Sequence, residues 1–157
     1  MEKKKGKLVA DSAINDQTAV VFPNDLNAYG TLFGGRVLEL ADRTAGVVAK
    51  RHSGRDCVTL GIDSVRFLAP AKHGDVLVFK ASINRVWHTS MEIGIKVLAE
   101  DYKKLDSKHI FSAYFTFVAI DDALKPVAID AIIPVTDEEK RRYEQAELRR
   151  KQRLKQS

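Results

Sequence analysis

Cysteine is nearly missing from this chain: Cys57 is the only one in 157 residues. No intramolecular disulfide can form, and a reducing, cytoplasmic setting is expected. Cys57 lies in a strand-like run with Val58, Thr59 and Leu60, which reads as a buried structural thiol rather than a nucleophile. No apolar run approaches the roughly 18 residues of a membrane helix, so no membrane insertion is expected. Leu8-Val9-Ala10 is too short for the apolar stretch of a signal peptide. His, Cys and carboxylate residues nowhere cluster at metal-ligand spacing, so neither a metal nor a resident cofactor is expected. None of His52, His73, His88 and His109 belongs to a Ser or Cys triad motif, and no glycine loop of the nucleotide-hydrolase type is present. His52 is expected to cap a helix end, and the other three to lie on the surface at strand ends.

What is present describes one folded domain. Hydrophobic residues make up 45% and charged residues 30%, a balance that excludes whole-chain disorder. The formal charge of +5 collects at the two ends, around Lys3, Lys4, Lys5 and Lys7 and after residue 136. In the tail the acidic residues interleave with the basic ones, and Tyr143 is its one aromatic residue. That pattern reads as a solvated helix whose charges match its dipole, not as a nucleic-acid surface.

Along the chain, residues 1–15 read as a polar arm, 16–135 as a single domain and 136–157 as a charged helix. A short strand over 17–22 stops at Pro23-Asn24-Asp25. A helix runs from about Gly34 to Arg51 and ends near Ser53-Gly54. Four strands follow, over 57–68, 75–87, 91–100 and 109–120; the first is rich in β-branched and apolar residues and the other three alternate from face to face. Short connections predict that these four form an antiparallel meander, with the helix against its concave face. Thr136 with Glu139 forms a capping box for the tail helix. The fold class is α+β.

Asn27-Ala-Tyr-Gly-Thr-Leu-Phe-Gly-Gly, leading into a helix that carries Asp42, is the most pointed stretch. N–H groups at a helix start, with no Cβ in the way, can stabilise a developing oxyanion. A carboxylate a few turns on can act as base or nucleophile. Taken singly, Asn27 to Gly30 is a turn, Gly34-Gly35 a helix entry and Asp42 the edge of a polar face. Their joint order points to acyl transfer.

These residues resemble the hotdog-fold acyl-CoA thioesterases, specifically the cytosolic, brain-type acyl-CoA hydrolases and their bacterial single-domain counterparts. Val58-Thr59, Asp63-Ser-Val-Arg-Phe67, Gly74-Asp75, Thr89-Ser-Met-Glu-Ile93, Phe115-Thr-Phe-Val118 and Pro134-Val-Thr-Asp-Glu-Glu-Lys140 extend the match over roughly residues 15 to 145. The resemblance implies an antiparallel sheet wrapped around a long central helix. It implies acyl-CoA as substrate, and sites shared between the subunits of a homodimer, commonly in a trimer of dimers. It implies Asn27 and Asp42 as the catalytic pair, supplied by different subunits, and oxyanion donors at Gly34 and Gly35. Thr59, Arg66, Phe67, Lys72, Thr89 and Ser90 become candidate contacts to substrate or CoA. A non-catalytic acyl-CoA-binding protein is the alternative. A dehydratase would need a catalytic histidine in the site, and no histidine lies on this face of the helix. Phe67, Phe111, Phe115 and Phe117 are expected to pack the core.

Overall fold

The computed structural model describes residues 6–156. Lys3, Lys4 and Lys5 of the basic N-terminal cluster lie outside the described residues. Apolar–polar alternation builds the long strands β3 (Asp56–Phe67), β4 (Val76–Val86), β5 (Ser90–Asp101) and β6 (Asp106–Ile120). With β2 (Ile14–Val20) they form an antiparallel sheet in the order β2-β4-β5-β6-β3. The helix α1 (Gly34–Ser53) lies across one face. It buries Val37, Ala41, Ala45, Val48 and Ala49 against Phe79, Ile93, Phe111 and Phe115 in a single core. This is the expected hotdog architecture.

The strand order corrects one expectation. Only β4, β5 and β6 form a meander, because β3 pairs with β6 and not with β4. The link from β3 to β4 is no hairpin. Leu68 N–H still bonds the Ile110 carbonyl, and Thr31 and Lys72 then bridge to the loop before α1. That route carries the chain across to the far side of the sheet. It leaves β3 as an edge strand, with Val58, Leu60, Val65 and Phe67 exposed. Phe111, Phe115 and Phe117 are core residues as expected, whereas Phe67 is 57% exposed.

Residues 7–15, expected to belong to a polar arm, hold more structure than their composition implied. β1 (Lys7–Leu8) pairs in parallel with β7 (Ile132–Ile133). Lys7 Nζ reaches the His52 carbonyl, and Val9 is buried. Two flanking segments that are weak alone thus close over the end of α1.

His52 is not a helix cap. Gly54 (φ 65°) ends α1, its N–H bonding the Lys50 carbonyl. His52 is buried, with Nε2 2.7 Å from the Asp130 carbonyl, which makes Nε2 the protonated nitrogen. Nδ1 is buried with no partner. Burial lowers the His52 pKa, and the Asp130 contact only partly opposes it. The folded state therefore prefers neutral His52. Its contribution is complete above the unfolded pKa of about 6.5 and is lost as pH falls toward the lower folded value. His52→Gln is expected to flatten the fall in thermal stability below pH 6.5, read by calorimetry at two or three pH values.

The tail helix α2 (Asp137–Gln156) is not simply solvated. Its N-terminus is capped by Thr136 Oγ1, which accepts the Glu139 N–H at 3.1 Å. The Glu139 carboxylate takes the Val135 N–H instead of completing the expected box. Further along, α2 packs on the outer face of the sheet. Arg149 grips Glu92 in a two-pronged ion pair at 2.9 and 2.8 Å, and Asn84 donates to the same carboxylate. Glu92 is 0% exposed. Arg149 also stacks 3.6 Å over Tyr114, Arg153 pairs with Asp63, and Trp87 Nε1 donates to Glu147. Part of the tail's charge therefore anchors the helix to the sheet.

Candidate active site

The 22–33 loop sets the entry to α1. Asp25 is buried; its carboxylate accepts the Phe22 N–H, and its carbonyl accepts the Phe33 N–H. Arg36, on the first turn of α1, donates to the same carboxylate at 2.9 Å. This bond, then the one to Glu39, raises the Arg36 pKa further. Asp25 and Arg36 pin the loop to the helix start. Both escaped sequence reasoning, because one sat in an apparent turn and the other on an apparent solvent face.

Asn27 organises the loop tip. Its Oδ1 accepts the N–H groups of Tyr29 and Thr31 at 2.9 and 3.2 Å, and its Nδ2 donates to Thr31 Oγ1. Gly30 (φ 81°) closes the turn, and Tyr29 projects from it 91% exposed. Asn27 thus has a structural role in the free chain as a side-chain-stabilised turn.

At the helix start, Arg36 and Val37 N–H groups both bond the Phe33 carbonyl. Gly34 and Gly35 contribute the first two helix N–H groups, which have no partner inside the helix. A Cβ on Gly35 would lie 2.6 Å from the Phe33 ring, and one on Gly34 3.0 Å from the Phe67 ring. The glycines therefore make room for two aromatic rings. An apolar cleft of about 400 Å³, lined by Leu32, Gly34, Val37, Phe67 and Ile110 among others, adjoins this point.

Asp42 is half-buried on the α1 flank that faces β3. Thr59 Oγ1, on the exposed edge strand, donates to Asp42 Oδ1 at 2.7 Å. That bond fixes the carboxylate at the sheet edge. Eight residues separate Asp42 from Gly34, about 12 Å along the helix axis. Within one chain the carboxylate and the helix-start donors therefore belong to different places.

The remaining candidates are scattered. Lys72 lies on the β3–β4 link and pairs with Asp101 at 3.2 Å, which raises the Lys72 pKa and lowers that of Asp101. Arg66 lies opposite Ser112 on the outer face of the sheet. Thr89 and Ser90 form the β4–β5 turn, where the Ser90 carbonyl accepts the Trp87 N–H and the Thr89 carbonyl accepts the Ala119 N–H. Cys57 is half-buried, 3.2 Å from Ser53 Oγ, and burial pushes its thiol pKa up. Among the described residues no group of three or more His, Cys, Asp or Glu side chains could hold a metal, and no helix is long and apolar enough to cross a membrane.

Comparison with known proteins decides what this arrangement belongs to. The Thioesterase superfamily model matches residues 29–105. An apo-hexameric acyl-CoA thioesterase superimposes with a TM-score of 0.93 at 35% identity, covering 97% of both chains. The chain belongs to the hotdog-fold acyl-CoA thioesterases. Two further similarities agree. The uncharacterized acyl-CoA thioester hydrolase YkhA of Bacillus subtilis (strain 168) is 37% identical over 123 residues, 78% of this chain and 72% of that protein. The acyl-CoA hydrolase of Staphylococcus aureus, in complex with butyryl coenzyme A, coenzyme A and coenzyme A disulfide, gives a TM-score of 0.89 at 33% identity. That match covers 97% of this chain and 92% of the other. Solved variants of the same hydrolase replace an Asp, a Thr and an Asn with alanine.

The resemblance implies that the Gly34 and Gly35 N–H groups meet the substrate carbonyl, a role that demands close placement. Gly35→Ala must displace the Phe33 ring, and a misplacement near 1 Å can cost about 100-fold in rate. Gly35→Ala is expected to lower kcat/KM for acyl-CoA hydrolysis by roughly that factor. The melting temperature should change little, because Phe33 is an exposed ring. Thiol-release kinetics beside a thermal melt test both halves.

Proposed function

We propose that this protein hydrolyses acyl-CoA to a carboxylate and free CoA in sites completed by a second copy of itself. The carrying observation is the separation of Asp42 from the start of its own α1. A partner docked along the exposed edge strand β3 would bring its own loop and helix start to Asp42. Exposed Leu60, Phe67, Tyr29 and Phe33 give that edge the apolar surface a dimer contact needs. Association as a dimer, and of dimers into a trimer, is part of the proposal, supported by the hexameric assembly named for the structural neighbour.

In the proposed reaction, the Gly34 and Gly35 N–H groups of one subunit stabilise the oxyanion formed on the thioester carbonyl. Asp42 of the other subunit acts as base toward water or as nucleophile. Thr59 fixes which Asp42 oxygen is free, by occupying Oδ1. Asn27, released from Thr31 or through its second Nδ2 N–H, orients water or the thioester. Phe67 and the apolar cleft flank the acyl group, and Lys72, Arg66, Thr89 and Ser90 are the proposed contacts for the rest of CoA. The single Asp, Thr and Asn replacements made in the Staphylococcus aureus hydrolase are of the same residue types as Asp42, Thr59 and Asn27. No resident cofactor enters, and a cytoplasmic setting accords with the lone thiol of Cys57.

Subunit mixing tests the shared site. Asn27→Ala and Asp42→Ala, each inactive alone, are co-expressed and assayed for thiol release from acyl-CoAs of increasing length. Random pairing should restore about a quarter of the sites, because each mixed dimer keeps one intact pair. No recovery in mixed oligomers of normal size would overturn a site built from two subunits.

A further inference from the structure

The outer face of the sheet carries a basic cleft whose lining includes none of the residues proposed above for catalysis or CoA binding, although Arg66 follows Ser112 in the neighbouring strand. Lys80 on β4 and Lys96 on β5 stand directly opposite each other in the ladder, and Ser112 on β6 is next in the same row. All three alternate with core residues and so point away from α1. Directly opposed like charges destabilise a sheet. Neither lysine has an ion-pair partner among the described residues. The cleft over this row has a volume of about 510 Å³, and α2 forms its wall with Arg141, Arg142 and Arg149.

The nearby carboxylates do not balance these cations. Glu138 is shared by Arg142 at 2.8 Å and Arg141 at 3.6 Å, and Glu92 is taken by Arg149. Lys80 and Lys96 are left without counter-charge in a concave site that also offers the Ser112 hydroxyl and His109. Two ammonium groups converging from adjacent strands, with two guanidinium groups facing them, suit a compact ligand carrying several negative charges.

We propose that this cleft is a second anion site, which binds a small polyphosphate on the sheet face opposite α1. The ligand class is a di- or triphosphate, recognised through its phosphates by Lys80, Lys96 and the α2 arginines. A free inorganic polyphosphate and the phosphate end of CoA share this chemistry, and the test separates them.

Sodium tripolyphosphate is titrated calorimetrically into the full-length oligomer at low salt, with and without saturating CoA. Wild type should bind it equally well in both conditions. Lys80→Gln with Lys96→Gln should weaken binding at least tenfold. Lys103→Gln with Lys125→Gln, which removes the same charge elsewhere, should leave it unchanged. Without ligand, Lys96→Gln should raise the melting temperature by relieving the Lys80–Lys96 repulsion, so loss of binding is not loss of fold. Three results would overturn the site: no binding to wild type, equal weakening in the two double variants, or displacement of tripolyphosphate by CoA. The last would assign the anion to the CoA phosphates.

Discussion

Asp42→Ala is expected to abolish most acyl-CoA hydrolysis while the oligomer stays intact. General base catalysis is worth about 100- to 10,000-fold, and a lost nucleophile costs at least as much. The fold should tolerate the change. Asp42 is only half-buried, its one side-chain partner is Thr59, and Ala is the best helix former. The assay is thiol release from acetyl- to palmitoyl-CoA, with oligomer size checked for both proteins by size-exclusion chromatography. Activity within a few-fold of wild type would remove Asp42 from the chemistry. Thr59→Val, which keeps the shape and deletes the hydroxyl, should give a smaller loss, because it frees Asp42 Oδ1 without removing the carboxylate.

The largest expected effect on stability comes from the other side of the sheet. Arg149→Met leaves the buried Glu92 carboxylate with Asn84 as its remaining hydrogen-bond donor and only the more distant Arg153, at 3.8 Å, as a cation. Removing one partner of a buried ion pair costs about 3–5 kcal/mol, against a total of about 5–15 kcal/mol for a typical domain. Urea unfolding, compared at one protein concentration because association also stabilises, should show that loss. Glu92→Gln in the Arg149→Met background should recover much of it, since the neutral amide no longer strands a charge. A loss below about 1 kcal/mol in Arg149→Met would mean that Glu92 finds water once α2 loosens.

The sequence was most legible where one period governs a segment. Alternation through Met91–Glu100 and His109–Ile120 located β5 and β6, and the apolar arc of residues 37–49 located α1, each within a few residues. The candidate site was legible as an order of residue types from Asn27 to Asp42. It was not legible as geometry. Alternation cannot say which strand lies beside which, so the place of β3 next to β6 was missed. Alternation puts Glu92 on the outward face but cannot show that α2 comes back to bury it. His52 was misread for a related reason: a residue at a helix end looks exposed until residues 7–9 and 130–132, remote in sequence, fold over it.

Composition and local periodicity by themselves determined an α+β chain with one long amphipathic helix and a half-covered sheet, because burial of an apolar stripe needs only local spacing. The ordered motifs added the thioesterase family. Tertiary structure alone decided that Asp42 meets Thr59 at an open sheet edge, that Gly34 and Gly35 lie against Phe67 and Phe33, and that Lys80 and Lys96 stand opposite each other in a cleft walled by α2. Each of these depends on contacts between residues far apart in the chain. Such contacts are selected by the packing of the whole domain, which no local pattern encodes.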